Sequence, residues 1–169
     1  DNLTLNGNVT LASGSLTIDA RGLLLNLGGD LNLAGGVLLT DNTTNFHLLD
    51  NSTLTTNAEQ TVANVTVTEN GEPMLTLGNI TKLKVVQLVS IVKSCPQSLP
   101  IKPTGQLRLP GGLQIDTGGT LCIDGWLEGD IVLNGGTLQV DADTTISSDS
   151  KISLSSSSNL KIVGGSSLT

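Results

Sequence analysis

The feature of this sequence that most constrains its fold is a pair of aliphatic residues, apolar-x-apolar, that recurs every six to eight residues. Successive side chains of a β-strand point to opposite faces, so both members of a pair share one buried face. Nearly every pair is followed by Gly, Asn, Asp or Ser, which favour turns. Strands this short are not stable alone, so the pattern predicts strands stacked coil on coil, a β-solenoid.

The pairs occur in both halves of the chain. In the first half they are Leu3/Leu5, Val9/Leu11, Leu16/Ile18, Leu23/Leu25, Leu31/Leu33 and Val37/Leu39. In the second half they are Leu107/Leu109, Leu113/Ile115, Leu121/Ile123, Ile131/Leu133, Leu138/Val140, Ile152/Leu154 and Leu160/Ile162. Three repeats of about seven residues make a coil of roughly 21, which predicts about eight coils in a single all-β domain, residues 1–169. The irregular spacing favours a right-handed, three-sheeted parallel β-helix.

The composition favours a narrow aliphatic core. Hydrophobic residues make up 37% of the chain and glycines number 20, yet there is one Phe, one Trp and no Tyr. The interior of a narrow solenoid has little room for rings, and Gly fits corners where φ is positive. The same scarcity weighs against a sugar-binding or polysaccharide-cleaving solenoid, because only Phe46 and Trp126 could stack on a sugar ring.

The charge and hydropathy of the chain argue against binding to nucleic acid and against a membrane span. A net charge of −7 makes nucleic-acid binding through phosphates unfavourable, so we expect no such partner. The sequence lacks a run of about 18 apolar residues, so we expect no membrane span. It starts at Asp1 within the strand pattern and shows no basic and apolar leader, so we expect any secretion signal to be outside it.

The strand pattern fails between about residues 80 and 106. The start of this stretch is dense in apolar residues and is compatible with two longer strands. The remainder contains Pro96, Pro100 and Pro103, and we interpret it as a protruding loop within the domain. Such an irregular insertion is either tolerated at a corner or contacts a partner.

Two cysteines, Cys95 and Cys122, are candidates for a disulfide. Cys122 lies between Leu121 and Ile123, so strand alternation points it outward, where a loop packed on the solenoid reaches it. The bond would close about 26 residues and stabilise the fold by roughly 3–4 kcal/mol. The even count and the absence of metal-ligand spacing favour this disulfide, and an oxidising compartment, over two free thiols.

Asn-x-Ser/Thr sequons are concentrated in the first half of the chain. They number six and begin at Asn2, Asn8, Asn42, Asn51, Asn64 and Asn79. In a secretory route these are candidate N-glycosylation sites on exposed faces. Alternating polar and apolar strand residues produce the same sequences without any sugar, so plain surface Asn/Thr ladders are the alternative.

The candidate catalytic acids do not form a convincing set. Asp116, Asp124, Glu128 and Asp130 are close in sequence, but acid–base chemistry needs two carboxylates within reach of one bond. Their spacing is not the coil period, so we interpret them as solvated corner residues. The only histidine, His47, alternates outward, which argues against a triad.

We expect neither a metal ion nor a cofactor. Asp141, Asp143 and Asp149 could supply oxygen ligands to calcium. However, their stretch has neither the spacing of an EF-hand loop nor the nonapeptide of calcium-binding rolls. We therefore interpret them as a plain Asp/Ser corner.

Two stretches carry a resemblance to a known family. Residues 7–18 and residues 59–67, the latter followed by Leu75-Thr-Leu-Gly-Asn-Ile-Thr, resemble the right-handed β-helix repeats of filamentous-haemagglutinin-type adhesins and autotransporter passengers. The resemblance covers most of the chain apart from residues 80–106, and it concerns the style of the repeat, so no functional residues carry over. It implies export and an elongated surface rod. The cysteine pair departs from such bacterial rods.

Two classes of function follow from these observations. The first is a non-enzymatic extracellular or cell-surface rod, structural or adhesive, whose uncapped ends stack on further copies to form a homopolymeric fibre. Strand pattern at both ends of the sequence suggests either this stacking or truncation from a longer chain. A host or surface glycan or protein is then a possible ligand. The second is a carbohydrate-binding or carbohydrate-cleaving β-helix, such as a phage tailspike module. The sequence favours the first, because aromatic platforms and a carboxylate groove are scarce.

Overall fold

The short strands predicted from the aliphatic pairs stack side by side in parallel. In the computed structural model the described residues are 1–67, 75–78, 81–91 and 106–169, and the regular elements within them are all β-strands. Within each sheet a strand pairs with the strand one coil away along the chain, as in Leu3 with Leu25 and Leu31 with Leu54. Because parallel neighbours joined by winding connections define a solenoid, the predicted fold class is confirmed.

The strands form five sheets, which we call A to E. Sheet A contains β1 (Asn2–Leu5), β4 (Leu24–Leu27), β7 (Asn45–Leu48) and β10 (Asn64–Val67). Sheet B contains β2 (Val9–Thr10), β5 (Leu31–Leu33), β8 (Ser52–Thr56) and β11 (Leu75–Leu77), and sheet C contains β3 (Thr17–Asp19) and β6 (Val37–Leu39). Sheet D contains β9 (Gln60–Val62), β12 (Lys82–Val85), β14 (Gln106–Arg108), β16 (Thr120–Glu128), β18 (Thr137–Ile146) and β20 (Asn159–Ile162). Sheet E contains β13 (Val89–Ile91), β15 (Leu113–Asp116), β17 (Ile131–Asn134) and β19 (Ile152–Leu154).

The core is a column of inward-facing aliphatic side chains. In β17 the burial alternates strictly, with Ile131 and Leu133 fully buried and the residues between and after them exposed. The same alternation runs through β5, β7 and β15. Each inward residue lies on its register partner in the next coil, so the apolar surface of one coil is covered by the next.

The chain makes about six turns, where the sequence predicted about eight. The largest sheet, D, has six strands. Some coils are longer than the predicted 21 residues. Leu31 pairs with Leu54, which is 23 residues further on, and Lys82 pairs with Gln106, which is 24 residues further on. The handedness of the coil stays a prediction.

Two of the predicted inward pairs differ from the structure, one in its parity and one in its position along the strand. In β6 the buried residue is Leu38, at 4% exposure, while Val37 is 49% exposed. In β4 the inward pair is Leu25 and Leu27. Both sites lie in runs of consecutive aliphatic residues, so the pattern alone could fix neither the parity of β6 nor the start of β4, where Leu23 precedes the strand.

Part of the irregular stretch predicted at residues 80–106 belongs to the solenoid. β12 pairs with β9 and β14, and β13 pairs with β15. These strands have four and three residues, so they are no longer than their neighbours. Residues 92–105, which contain the Pro-rich loop prediction, lie outside the described residues.

Corners between coils are held by side-chain oxygens that accept backbone N–H groups of the next coil. The Asn8 side chain accepts the amide of Asp30 at 2.9 Å, and the Asp30 carboxylate accepts the amide of Thr53 at 2.8 Å. In the second half, the Asp130 carboxylate accepts the amide of Lys151 at 3.0 Å. These bonds give turn amides partners that a strand ladder does not supply.

Candidate functional site

The outer face of sheet D brings Trp126 together with several charged and polar side chains. Strand register places them in two adjacent rows that cross the strands. The first row is Lys82, Gln106, Trp126 and Thr145, and the second row is Thr61, Lys84, Arg108 and Glu128. We call these eight residues the sheet D patch. It combines an indole, three cations, one carboxylate and neutral hydrogen-bonding groups on one surface.

Trp126 points away from the core of the solenoid. Its neighbour in β16, Leu127, is 1% exposed and faces inward, so strand alternation directs Trp126 outward, where it is partly exposed. Gln106 and Thr145 are its register partners on the two adjacent strands. The other ring that the sequence offered for sugar stacking, Phe46, is fully buried in the core.

Arg108 is fixed between two carboxylates. Its guanidinium contacts Glu59 at 3.1 Å and Glu128 at 3.4 Å. The hydrogen bonds that Arg108 donates to Glu59 and, with a smaller effect, to Glu128 raise the pKa of Arg108 above its ordinary value. The pairs are partly exposed to solvent, so they contribute little to stability, but they hold Glu128 in a defined position beside Trp126.

The four acids considered as catalytic candidates occupy different surfaces. Glu128 belongs to the sheet D patch, whereas Asp130 lies at the following corner, where it accepts the amide of Lys151. Asp116 ends β15 in sheet E and accepts hydrogen bonds from Gln114 at 2.9 Å and Asn134 at 3.0 Å. The fourth, Asp124, lies in β16 and is partly exposed. The prediction that these residues are corner acids therefore describes Asp130 best.

His47 lies in a polar ladder on the outer face of sheet A. Its Nδ1 is 3.0 Å from the side-chain oxygen of Asn26, and the amide of Asn26 donates to the hydroxyl of Thr4 at 3.2 Å. Both strand neighbours of His47 are buried, which confirms its predicted outward direction. Asn26 is 8% exposed, so this ladder is packed as well as hydrogen bonded. Its hydrogen bonds join side chains of successive coils, so the ladder serves to hold the coils together.

The acids considered for calcium lie near the last coil. Asp143 accepts the amide of Ser167 at 2.9 Å and its hydroxyl at 2.8 Å. The Asp141 carboxylate accepts the Gln139 amide at 2.7 Å. Within the described ranges, the His, Cys, Asp and Glu side chains form no group of three that could hold a metal ion.

The sequon asparagines in the described part of the chain lie at the surface to different extents. Asn2, Asn8, Asn42 and Asn51 are exposed, and Asn64 is half-buried. Two of these side chains accept hydrogen bonds through their oxygens, Asn8 from Asp30 and Asn64 from the amide of Val65. Asn79 lies outside the described residues. Glycosylation of all six stays a prediction.

Cys122 lies in β16 and is 8% exposed although strand alternation directs it outward. Its predicted partner, Cys95, lies outside the described residues. The Cys95–Cys122 disulfide therefore stays a prediction.

Sequence reasoning identified Trp126 as one of two available rings but did not find its neighbours. Gln106 and Thr145 are separated from Trp126 by about one coil in each direction, and only the strand register brings them together. The same holds for Glu59 and Arg108, which are 49 residues apart. An irregular coil length hides such neighbours, because no fixed period connects their sequence positions.

The described residues contain no helix that is long and apolar enough to span a membrane. Comparison of the chain with protein-family models, with curated proteins and with solved structures gives no match.

Proposed function

We propose that this chain is a non-enzymatic structural or adhesive rod segment whose end coils stack on those of another copy of the chain. The observation that carries the proposal is the exposure of inward-facing residues on the terminal strands. In β19 and β20, Leu154 is 53%, Leu160 is 39% and Ile162 is 48% exposed. A further coil laid on this end would cover them, as β17 and β18 are covered.

The strand edges support the same arrangement. β20 is the edge strand of sheet D, and β19 is the edge strand of sheet E. At the opposite end, β1 and β2 are edge strands of sheets A and B, and Leu3, Leu5 and Val9 pack only partly against the core. Edge strands with apolar inward residues favour pairing with another strand. Stacking would continue the parallel ladder at a spacing of about 4.8 Å.

The decisive experiment measures self-association by sedimentation velocity and electron microscopy. We expect the purified chain to form elongated particles whose length increases with protein concentration. Leu154→Lys places a charge in the end surface and should abolish this growth. Val132→Lys is the matched control, because Val132 is similarly exposed, at 42%, but lies on the outer face of β17. Monodisperse short particles at high protein concentration would overturn the proposal. Equal effects of both variants on particle growth would overturn it as well.

We place this rod outside the cell or on its surface, with a Cys95–Cys122 disulfide. The coverage of Cys122 at an outward position supports a partner over its sulfur, and the exposed sequon asparagines are compatible with export. Intact mass before and after reduction and deglycosylation tests both points. An unchanged mass under both treatments would remove the disulfide and the glycans.

A further inference from the structure

We infer that the sheet D patch binds a neutral saccharide chain, with one pyranose ring stacked on the indole of Trp126. This site is independent of end-to-end stacking, because it lies on the side of the solenoid and uses no residue of β1, β2, β19 or β20.

The first argument is that the core does not need Trp126. The described core is aliphatic apart from Phe46, and the inward positions of β16 are filled by Leu121, Ile123 and Leu127. The indole instead lies on the solvent side of a sheet whose inward side is already complete. A partly exposed indole offers a large, rigid apolar face with a single polar N–H, which suits the apolar face of a sugar ring.

The second argument is that groups able to hydrogen bond sugar hydroxyls surround the indole. Gln106 and Thr145 lie on the two adjacent strands, at the strand spacing of about 4.8 Å. Glu128 lies two residues along β16 on the same face. An amide and a hydroxyl can both donate to and accept from sugar hydroxyls, and a carboxylate can accept from them. A stacked ring would therefore have polar partners on at least two of its sides.

The third argument concerns the charge of the ligand. Among the described residues the cation nearest to Trp126 by register is Arg108, and its guanidinium is already held by Glu59 and Glu128. One guanidinium and two carboxylates leave this group with a net negative charge, which would repel an acidic sugar, while carboxylate oxygens can accept hydrogen bonds from a neutral one. Lys82 and Lys84 lie on β12, two strands from Trp126. The geometry thus favours a neutral saccharide over a uronate.

The chain provides its own spectroscopic probe for this site. It has one Trp and no Tyr, so near-ultraviolet fluorescence excited at the indole band reports on Trp126 alone. We would titrate the full chain with cellohexaose, laminarihexaose and mannohexaose, and with an oligogalacturonate as the acidic comparison. We expect a saturable change in fluorescence with at least one neutral oligosaccharide. No saturable change with any of them would overturn the proposal.

Substitutions separate stacking from nonspecific contact. Because Trp126→Ala removes the probe, its binding is measured by calorimetry or by affinity electrophoresis in gels that contain the polysaccharide. We expect it to weaken binding by about tenfold or more, as for the loss of an aromatic stacking surface, and Trp126→Phe to weaken it less. Val132→Ala, an exposed apolar residue on sheet E, is the control and should bind as the unsubstituted chain does. Circular dichroism confirms that each variant is folded.

Three results would contradict the inference. Equal binding by Trp126→Ala and Val132→Ala would place the saccharide elsewhere. Binding of the oligogalacturonate alone, reversed by a Lys82→Ala/Lys84→Ala double variant, would overturn the neutral assignment. Loss of binding with Leu154→Lys as well as with Trp126→Ala would show that the patch binds the saccharide only in the stacked assembly, against the stated independence of the site.

Discussion

The next-to-last and the last coil of this solenoid contain the same kind of residue at the same register, yet these residues are buried to opposite extents. Leu133 is fully buried, while its register partner Leu154 is 53% exposed. Leu138 is likewise buried and its partner Leu160 is 39% exposed. The side chains differ in nothing but the presence of a further coil on one side. Burial in this fold is therefore a property of the stack and not of a single strand.

The largest test of this comparison removes one inward leucine from each coil. Leu133→Ala should lower the free energy of unfolding by about 2–5 kcal/mol, because it leaves a cavity between coils. Leu154→Ala should cost less than about 1 kcal/mol in the monomer, because its side chain already contacts water. Urea denaturation, followed by circular dichroism at a protein concentration below the onset of self-association, measures both.

Equal costs for the two variants would mean that the exposed leucine is covered in solution. If the cost of Leu154→Ala rose to that of Leu133→Ala only at high protein concentration, it would locate the covering coil in another molecule. The concentration series therefore sharpens the comparison even where a single measurement would not.

A second test concerns the backbone between coils. A Cβ at Gly35 would lie 2.3 Å from the amide nitrogen of Ser13 and 2.4 Å from the carbonyl oxygen of Ala12, both in the preceding coil. At Gly164, in the last coil, a Cβ would meet nothing within 4 Å. Gly35→Ala should therefore lower the free energy of unfolding by about 1–3 kcal/mol, and Gly164→Ala should change it by less than about 0.5 kcal/mol.

Thermal and urea unfolding of the two alanine variants provide the measurement. The substitution is chemically the same, so differences in helix or strand propensity largely cancel. A Gly35→Ala chain as stable as the Gly164→Ala chain would show that adjacent coils are not packed backbone to backbone at this corner.

The sequence predicted that the strands stack in coils, but it did not predict the coil length or every inward-facing residue. Pairs such as Leu113/Ile115 face inward as predicted, because a single polar residue separates two aliphatic ones and only one parity buries them. The pair Val37/Leu39 faces the other way, because three consecutive aliphatic residues satisfy either parity. The position of Trp126 follows from alternation, but its neighbours Gln106 and Thr145 depend on a coil length that varies along the chain.

The smallest expected effect concerns Asp19, which ends β3 in the first coil. Hydrogen bonds from the Arg21 side chain and backbone lower the pKa of this carboxyl from 3.8 to about 2. Because the folded value lies below the unfolded one, any stabilisation is fully present above pH of about 3.8 and is lost as the pH falls through about 2. The ion pair is exposed on both sides, so we expect the shift in pKa to be clear and the change in stability to be barely measurable.

Carboxyl chemical shifts, followed by NMR from pH 1.5 to 6, should give a midpoint for Asp19 near 2, and Arg21→Ala should return it toward its ordinary value. A normal midpoint in the unsubstituted chain would show that the end coil does not hold this pair in solution, which would extend the contrast between covered and open coils from apolar contacts to polar ones.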